Sequence, residues 1–267
     1  MLMNVFYAFL SIALLGALLG IGLAVASLKL SVKKDTRISS VEESLPGINC
    51  GACGYAGCAA YAEAIVDNAE ELTLCSPGGK DTAEALARIM GQEIDFSAIK
   101  QVALVHCWGN EETRSSDFRY EGIEDCNAAF IYFSGADTCK YGCLALGSCI
   151  RVCPVSAITK REDGRIHVDR NICIACEKCV EVCPTKVMQM VPHDSDWYVA
   201  CNSPDKGAMV RKYCSVGCIG CRICEKKFED GGFKVDNNLA SAQYDRQYSQ
   251  REGAAEACPP KSIRMIE

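Results

Sequence analysis

The sequence has 267 residues, enough for one or two ordinary domains, but it contains 20 cysteines against 10 tyrosines and 8 phenylalanines. Cross-linking through metal or disulfides is therefore expected to replace part of the usual hydrophobic core. The net charge of −6 and the lack of a basic stripe with interleaved aromatic residues argue against nucleic-acid binding. No nucleotide-binding glycine loop and no Ser/His/Asp arrangement occurs, so neither nicotinamide binding nor hydrolysis is expected.

The first predicted element is a single membrane-spanning helix. None of the first 28 residues is charged, and the run from Val5 to Leu28 would rise about 36 Å as a helix, enough to cross a hydrocarbon core of about 30 Å. Lys29, Lys33, Lys34 and Arg37 follow the run, which favours an uncleaved anchor over a secretory signal. The positive-inside rule then predicts a single pass through the cytoplasmic membrane, with all later residues in the cytoplasm.

A cytoplasmic location argues against disulfides, because thiols stay reduced in that compartment. The cysteines are therefore expected to bind metal, in an α+β fold with ferredoxin-like βαβ repeats. The predicted organisation is a transmembrane anchor at 1–30, a polar linker at 31–45, a small four-cysteine [4Fe–4S] domain at 46–99 and a multi-cluster ferredoxin-like domain at 100–267, which contains a two-cluster unit at 139–192 and a degenerate one-cluster unit at 214–267.

The small domain is marked by "CGACGYAGC" and a later cysteine. Three glycines between the cysteines allow the backbone to fold tightly around whatever the thiolates hold. Its candidate ligands are Cys50, Cys53, Cys58 and Cys75.

Strands and cysteine turns are predicted from about residue 100. "KQVALVHC" and "DWYVAC" are typical of strands that end in Cys107 and Cys201. A Cys-Pro pair followed by a turn and an apolar strand recurs at Cys153, Cys183 and Cys258. The proline redirects the chain and turns that thiolate away from the three cysteines before it.

The clearest motif is the run Cys173, Cys176, Cys179, Cys183-Pro184, which has the C-x2-C-x2-C-x3-C-P spacing of bacterial ferredoxins. Three closely spaced thiolates bind one cluster, and the fourth binds its neighbour. Zinc usually takes two separated cysteine pairs, so this spacing favours [4Fe–4S].

The preceding run lacks the middle ligand, because Leu146 occupies that position, and Cys139 is expected to substitute. If the last cysteine of each run binds the cluster of the other run, one cluster is predicted on Cys139, Cys143, Cys149 and Cys183, and a second on Cys153, Cys173, Cys176 and Cys179.

The C-terminal unit repeats this pattern incompletely. Phe228 stands where a fourth cysteine is expected, and Tyr248, Arg251 and Ala254 stand at the three positions before Cys258. All ligands of one cluster are thus missing together, and one cluster is predicted on Cys218, Cys221, Cys224 and Cys258. The alternative is that Cys258 is an unrelated thiol and the triplet binds a three-ligand cluster.

Four cysteines remain, and their role is open among a fifth [4Fe–4S] cluster, a zinc site and buried structural thiols. Cys214 precedes Cys218 by four residues, as Cys139 precedes Cys143, so these two cysteines are candidates to exchange roles. His106 is a further potential ligand, although strand histidines are more often ordinary. The remaining cysteines are Cys107, Cys126, Cys201 and Cys214.

The apolar N-terminal run, the "CGACGYAGC" module and the motifs "YGCLALGSCIRVCP" and "CIACEKCVEVCP", in that order, resemble the B-subunit family of the Rnf complex. That complex is a membrane ferredoxin:NAD oxidoreductase coupled to ion transport. The likeness covers nearly the full chain and implies a four-cysteine iron–sulfur domain followed by a two-cluster ferredoxin domain. The extra unit around residues 201–258 departs from the shortest family members, which leaves the number of clusters at four or five.

The resemblance implies a membrane-anchored subunit that accepts electrons from soluble reduced ferredoxin and relays them to other membrane subunits. Flavin, NAD and ion sites would then lie in those subunits, and this chain would be a redox relay without catalytic residues of its own. Two alternatives are a membrane-anchored reductase with its own substrate site at the irregular Cys139/Cys143/Cys149 cluster and a zinc-rich scaffold.

Overall fold

The computed structural model describes residues 2–30, 35–94 and 100–266 of the chain. Lys33 and Lys34 of the predicted basic flank lie outside the described residues. Short helices and short strands alternate after the first helix, which confirms the α+β class. The helices are α1 (Leu2–Leu30), α2 (Thr36–Ser44), α3 (Cys58–Asn68), α4 (Gly79–Met90), α5 (Cys126–Ile131), α6 (Ser148–Val152), α7 (Lys178–Glu181), α8 (Gly207–Tyr213), α9 (Ile223–Lys226) and α10 (Arg251–Glu256). The strands are β1 (Gln101–Val105), β2 (Ile158–Lys160), β3 (Ile166–Val168), β4 (Met188–Pro192), β5 (Trp197–Val199), β6 (Phe233–Asp236), β7 (Leu239–Ala242) and β8 (Ile263–Met265).

Helix α1 contains the apolar N-terminal run and is 29 residues long. Its described large apolar side chains are exposed, among them Phe9 and Leu23. Over the described residues, no helix meets the combined requirement of length and apolarity for a membrane span.

The segment after α1 contains a helix that the sequence analysis did not predict. Asp35 caps α2 by accepting a backbone N–H two residues further on at 2.9 Å. Ile38, Val41 and Leu45 are buried in the core of the four-cysteine domain. Their i, i+3, i+7 spacing is that of one helix face, but the polar residues between them suggested an aperiodic tether. Helix α2 therefore belongs to the domain rather than to the predicted linker at 31–45.

Helices α2, α3 and α4 surround one core in which Tyr61, Ile65 and Leu86 are almost completely buried. The Tyr61 hydroxyl donates a hydrogen bond to the Glu71 carbonyl oxygen at 2.6 Å. That bond ties the loop before Cys75 to α3, so the last cysteine of the domain is held near the other three.

The rest of the described chain folds as two similar units, each built from four strands. In the first unit β1 pairs with β4 and β2 with β3, and in the second β5 pairs with β8 and β6 with β7. All four pairs are antiparallel, with Ala103 opposite Met190 and Tyr198 opposite Arg264 in the two outer pairs. Each unit thus combines an outer pair, formed by its first and last strands, with an inner hairpin.

This topology corrects the predicted βαβ repeats. Such repeats need parallel strands joined by a crossover of a dozen or more residues, usually a helix. Helices α6 and α7 have only five and four residues, because cysteine turns interrupt the chain around them. The units also begin earlier than predicted, at β1 and β5 rather than at residues 139 and 214.

The strands bring the cysteines to equivalent places in the two units. Cys107 follows the end of β1 by two residues, and Cys201 follows the end of β5 by two residues. The predicted strands that end near these cysteines are therefore confirmed. Cys183 and Cys258 each precede the last strand of their unit by five residues. The side chains of these cysteines pack among the apolar side chains between the strands, so the cysteines are part of the core of each unit.

Candidate iron–sulfur sites

None of the twenty cysteines forms a disulfide, and the structure gathers them into five groups of four. We name the groups by their order through the molecule: site I is Cys50, Cys53, Cys58 and Cys75; site II is Cys153, Cys173, Cys176 and Cys179; site III is Cys126, Cys143, Cys149 and Cys183; site IV is Cys107, Cys139, Cys201 and Cys214; site V is Cys218, Cys221, Cys224 and Cys258.

Site I is formed by the glycine-rich loop before α3 and by the loop that follows it. The Cys58 N–H donates a hydrogen bond to Asn49 Oδ1 at 2.8 Å, which closes the loop. A Cβ at Gly57 would approach the same oxygen to 2.7 Å, so a side chain there would disturb this closure. Burial raises the pKa of Cys75, and the thiols of Cys58 and the other two cysteines act in the same direction. The four predicted ligands are thus brought together.

Site II surrounds a cavity of about 340 Å³ and contains the four cysteines that the sequence assigned to one cluster. Cys153 comes from the end of α6, and the other three come from the turn before α7 and from α7 itself. The Ala157 N–H donates a hydrogen bond to Cys153 Sγ at 3.3 Å. Burial raises the pKa of Cys179 to about 12, with Cys173 contributing next. The structure therefore brings together the four cysteines that local sequence spacing had grouped.

Site III differs from the predicted group in one residue. Its cavity, of about 350 Å³, is lined by Cys126 together with Cys143, Cys149 and Cys183, whereas Cys139 lies in site IV. Burial raises the pKa of Cys149 to about 12, and Cys126 is the next contributor. The structure therefore places Cys126, rather than the predicted Cys139, beside these three cysteines.

Cys126 reaches site III through a polar network at the start of α5. Asp125 caps this helix, and its carboxylate accepts hydrogen bonds from the Ser148 hydroxyl and the Arg151 guanidinium, both at 2.8 Å. The Cys126 N–H donates to the same Ser148 hydroxyl oxygen at 2.7 Å. Because Ser148 immediately precedes Cys149, the network joins a distant part of the chain to the motif. The spacing of the cysteines within the motif does not predict this long-range contact.

Site IV lies between the two units, and each unit supplies two of its cysteines. The cavity has a volume of about 390 Å³. A Cβ at Gly142 would lie 3.6 Å from Cys139 Sγ and 3.7 Å from Cys107 Sγ. Burial raises the pKa of Cys139 to about 11, followed by contributions from Cys107 and Cys214. Burial likewise raises the pKa of Cys201 to about 12.

The cysteines of site IV are equivalent in pairs. Cys107 and Cys201 follow the first strands of their units, and Cys139 and Cys214 each lie four residues before the next cysteine. Both regularities are visible in the sequence. Together they would have identified the group and left Cys126 for site III.

Site V contains the four cysteines predicted for the degenerate unit, around a cavity of about 350 Å³. Burial raises the pKa of Cys224 to about 12, with Cys218 and Cys258 contributing next. Gly220 has a φ of 61°, and a Cβ there would lie 2.6 Å from the Asn238 carbonyl oxygen. The close backbone approach therefore requires glycine at this position.

The positions of the missing cluster are filled by packed side chains. Arg251 is 9% exposed, and its guanidinium carbon lies 5.0 Å from the ring centroid of Tyr248 and 5.9 Å from that of Phe233. The same guanidinium donates a hydrogen bond to the Gln243 carbonyl oxygen. A Cβ at Gly253 would lie 3.0 Å from the Phe228 ring, so that ring packs directly on α10. Aromatic and cation–π packing thus occupies the space that four thiolates would need.

Neighbouring sites approach one another in a single series. Burial raises the pKa of Cys176 in site II, and Cys50 of site I adds to this effect. Burial and Cys173 raise the pKa of Cys179 in site II, and Cys149 of site III acts with them. Sites I, II and III therefore follow one another through the molecule.

The series continues from site III to site V through site IV. Burial raises the pKa of Cys143 in site III, and Cys107 of site IV is the next contributor. Burial raises the pKa of Cys201 in site IV to about 12, and the nearby thiol of Cys218, a residue of site V, adds to the rise. Site IV is thus the bridge between the two units.

The donor sets fit [4Fe–4S] clusters. Burial alone favours the protonated thiol, so the thiolate form needs a bound positive charge, which iron provides. Within the described part of the chain, no three Cys, His, Asp or Glu side chains converge on a point as a single ion would require. In a cubane the four thiolates bind different iron atoms and surround the cluster from outside. Four cysteines around a cavity are the arrangement that such a cluster needs.

His106, next to Cys107, is partly buried with its Nε2 atom shielded from solvent, and its ring centroid lies 5.5 Å from that of Tyr198. Burial lowers the pKa of His106 to about 4, so the imidazole is neutral at pH 7. Trp108 lies between two guanidinium groups, 3.8 Å from Arg165 and 4.2 Å from Arg264, measured from each guanidinium carbon to the ring centroid. Trp108 lines the cavity of site IV, whereas His106 packs against Tyr198.

Comparison with known proteins identifies two iron–sulfur regions in the chain. The Fe-S cluster family model matches residues 45–77, and the 4Fe-4S dicluster domain model matches residues 138–187. The B subunit of the ion-translocating oxidoreductase complex of Methanosarcina acetivorans is 38% identical over 252 residues, which cover 94% of both chains. The B subunit of the Na(+)-translocating ferredoxin:NAD(+) oxidoreductase complex of Acetobacterium woodii is 40% identical over 93% of this chain and 74% of its own length. The B subunit of the proton-translocating ferredoxin:NAD(+) oxidoreductase complex of Clostridium ljungdahlii is 39% identical over 95% and 89%, respectively.

The fold and its thiol groups define an electron-transfer protein whose cofactors are [4Fe–4S] clusters. The sequence identity to these relatives extends over nearly the full chain and narrows this class of protein to one family. The chain belongs to the B-subunit family of ion-translocating oxidoreductase complexes, the Rnf complexes, so the resemblance noted from its motifs is confirmed.

Proposed function

We propose that this chain carries electrons from soluble reduced ferredoxin to the other subunits of a membrane-bound, ion-translocating ferredoxin:NAD oxidoreductase. The observation that carries the proposal is the unbroken series of five four-cysteine sites. A bound [4Fe–4S] cluster supplies a one-electron couple whose potential depends on nearby hydrogen bonds, charge and solvent exposure. The names of the relatives support ferredoxin as the donor and an ion-translocating complex as the acceptor.

Each of the five sites is proposed to hold one [4Fe–4S] cluster, with its four named cysteines as ligands. Sites I, II and III lie in or overlap the regions matched by iron–sulfur family models. Sites IV and V rest on the structure, because each has four cysteines around a cavity similar in size to those of sites II and III. Five is therefore favoured over four.

Helix α1 is proposed to anchor the chain in the cytoplasmic membrane, with all five sites on the cytoplasmic side. Support comes from the absence of charge in the first 28 residues and from a helix of 29 residues, which corresponds to about 44 Å at about 1.5 Å per residue. Lys29 at the end of the apolar run supports this orientation. Because α2 follows α1 closely and packs into the first domain, site I would lie nearest the membrane.

The order of the sites gives the relay a direction. Site V is at the other end of the series, and Cys221 is the cysteine with an exposed side chain. Electrons from a soluble donor would therefore enter at site V and leave from site I toward membrane partners.

Rapid mixing of the anaerobically purified full chain with reduced ferredoxin tests this proposal. Cys221→Ala should slow the reduction of the remaining sites by ferredoxin, whereas Cys53→Ala in site I should leave that rate unchanged. Dithionite, a small reductant, should still reduce the remaining clusters in both variants. The opposite pattern would place the entry point at site I.

Two further measurements separate the alternatives. Five clusters require about 20 iron atoms per chain, at four per cubane. Stoichiometric zinc in their place would support the scaffold alternative and reject the relay. Reduction of NAD by the isolated chain and ferredoxin alone would indicate that the chain has its own substrate site.

A further inference from the structure

A buried ion pair lies between sites III and IV. Arg114 Nη1 is 3.1 Å from Asp137 Oδ2, and the two side chains are only 8% and 11% exposed. The Asp137 carboxylate also accepts a hydrogen bond from the Ser116 hydroxyl at 2.9 Å. A charge pair so far from water has a desolvation cost that its mutual attraction often fails to exceed. Its position therefore calls for a reason other than stability.

The backbone holds Arg114 against both sites. Arg114 forms an isolated antiparallel bridge with Cys214 of site IV, and Ser116 forms another with Asp137. The Arg114 guanidinium donates a hydrogen bond to the carbonyl oxygen of Cys143, a residue of site III. One arginine is thus fixed by the main chain of one site and bonded to the main chain of the next.

The guanidinium also lies near the thiols of site IV. A Cβ built on Gly142 would lie 3.6 Å from Arg114 Nη1, 3.6 Å from Cys139 Sγ and 3.7 Å from Cys107 Sγ. The cation and two site IV sulfur atoms therefore border the same small space. Arg114 also lines the cavity that the four cysteines of site IV surround.

We propose that Arg114 is a positioning residue that raises the reduction potentials of sites III and IV, and that Asp137 limits this effect. A reduced cluster carries one more negative charge than an oxidised one, so a nearby buried cation stabilises the reduced state. The carboxylate acts in the opposite sense. The ion pair thereby sets the potential at the junction between the two units, where every electron must cross in the proposed relay.

This inference rests on the proposed ligand sets for sites III and IV. Its test is a potentiometric titration of the full-length holoprotein followed by electron paramagnetic resonance, with iron counted in each sample. Arg114→Gln should shift the potentials of two clusters to more negative values. Asp137→Asn should shift the same two to more positive values, and Arg114→Lys, which keeps the charge, should restore most of the loss.

Arg246→Gln is the matched control. Arg246 also pairs with an aspartate, Asp230, but its side chain is 57% exposed and belongs to neither site III nor site IV, so solvent screens its charge and no comparable shift is expected. A purely structural role predicts equal or same-direction effects of Arg114→Gln and Asp137→Asn, and that result would overturn the proposal.

If Arg114→Gln loses iron, Asp137→Asn decides the question alone. A positive shift then supports the inference, and an unchanged potential rejects it. Unsubstituted protein with fewer than about 20 iron atoms, at four per cluster, and without signals from sites III and IV would instead show that the ligand sets are at fault.

Discussion

Replacing cysteines in pairs reveals which thiols share a cluster. Sites III and IV exchange Cys126 and Cys139 relative to the sequence-based grouping. Alanine has no donor atom, so a single Cys149→Ala change should remove up to about four of about 20 iron atoms, the content of one cubane out of five. Adding Cys126→Ala should cost no further iron, because the same site is already lost. Adding Cys139→Ala instead should remove up to about four more, for a total near eight.

The assay is the iron and acid-labile sulfide content of full-length protein prepared without oxygen, combined with integration of the electron paramagnetic resonance signal. The comparison remains valid if a substituted site keeps three iron atoms. Two substitutions in one site would still remove no more iron than one, whereas substitutions in two sites would still remove the sum of the two losses. Cys149→Ala with Cys224→Ala is the control, since both groupings place these cysteines in different sites. Additive loss for the Cys126 and Cys149 pair, with non-additive loss for the Cys139 and Cys149 pair, would refute the structural grouping.

Three further predictions concern the protein around the sites. Burial lowers the pKa of His106 from about 6.5 to about 4, so the unfolded chain binds a proton that the folded chain excludes. Between pH 7 and pH 4, the free energy of unfolding should therefore fall by about 3 kcal/mol more in the native chain than in the His106→Phe variant. An equal fall in the two proteins, measured by anaerobic denaturant titrations at each pH, would contradict this. Arg251→Ala should lower the free energy of unfolding by about 2 kcal/mol, because cation–π and hydrogen-bond contacts are lost. The side chain of Arg246 is exposed, so Arg246→Ala should change the same free energy by less than about 1 kcal/mol. Equal unfolding midpoints for the two variants would refute the packing argument. Gly220→Ala should release iron from site V alone, because the new methyl group meets the Asn238 backbone, and a full iron count would show that the loop can adjust.

Short-range spacing was sufficient to predict sites II and V from the sequence. In both, three cysteines lie within one turn and a short helix, and the fourth is the cysteine of a Cys-Pro pair. The rigid proline and the close spacing leave few ways to arrange those thiols. The same reasoning located the strands that end near Cys107 and Cys201, because their apolar runs are short and continuous.

Sites III and IV depended on contacts that no local pattern records. Cys126 is brought to site III by the bonds of Asp125 and Ser148, residues 23 positions apart. Cys139 is held in site IV with Cys214, next to the backbone bridge between Arg114 and Cys214. Distance along the chain favoured Cys139 for site III, but the fold brought the more distant cysteine closer.

The degenerate unit shows why a lost cluster need not interrupt the proposed relay. Site V corresponds to site III, since both contain the last cysteine before the final strand of a unit, and both adjoin site IV. The missing cluster corresponds to site II, which lies on the side of site III away from site IV. In the first unit site II is indispensable to the series, because it alone among the described contacts joins site III to site I. In the second unit its equivalent would lie beyond site V, where the series ends. Its replacement by the packing around Arg251 therefore shortens the series without opening a gap, and it leaves site V, with the exposed Cys221, as the terminus available to a soluble donor.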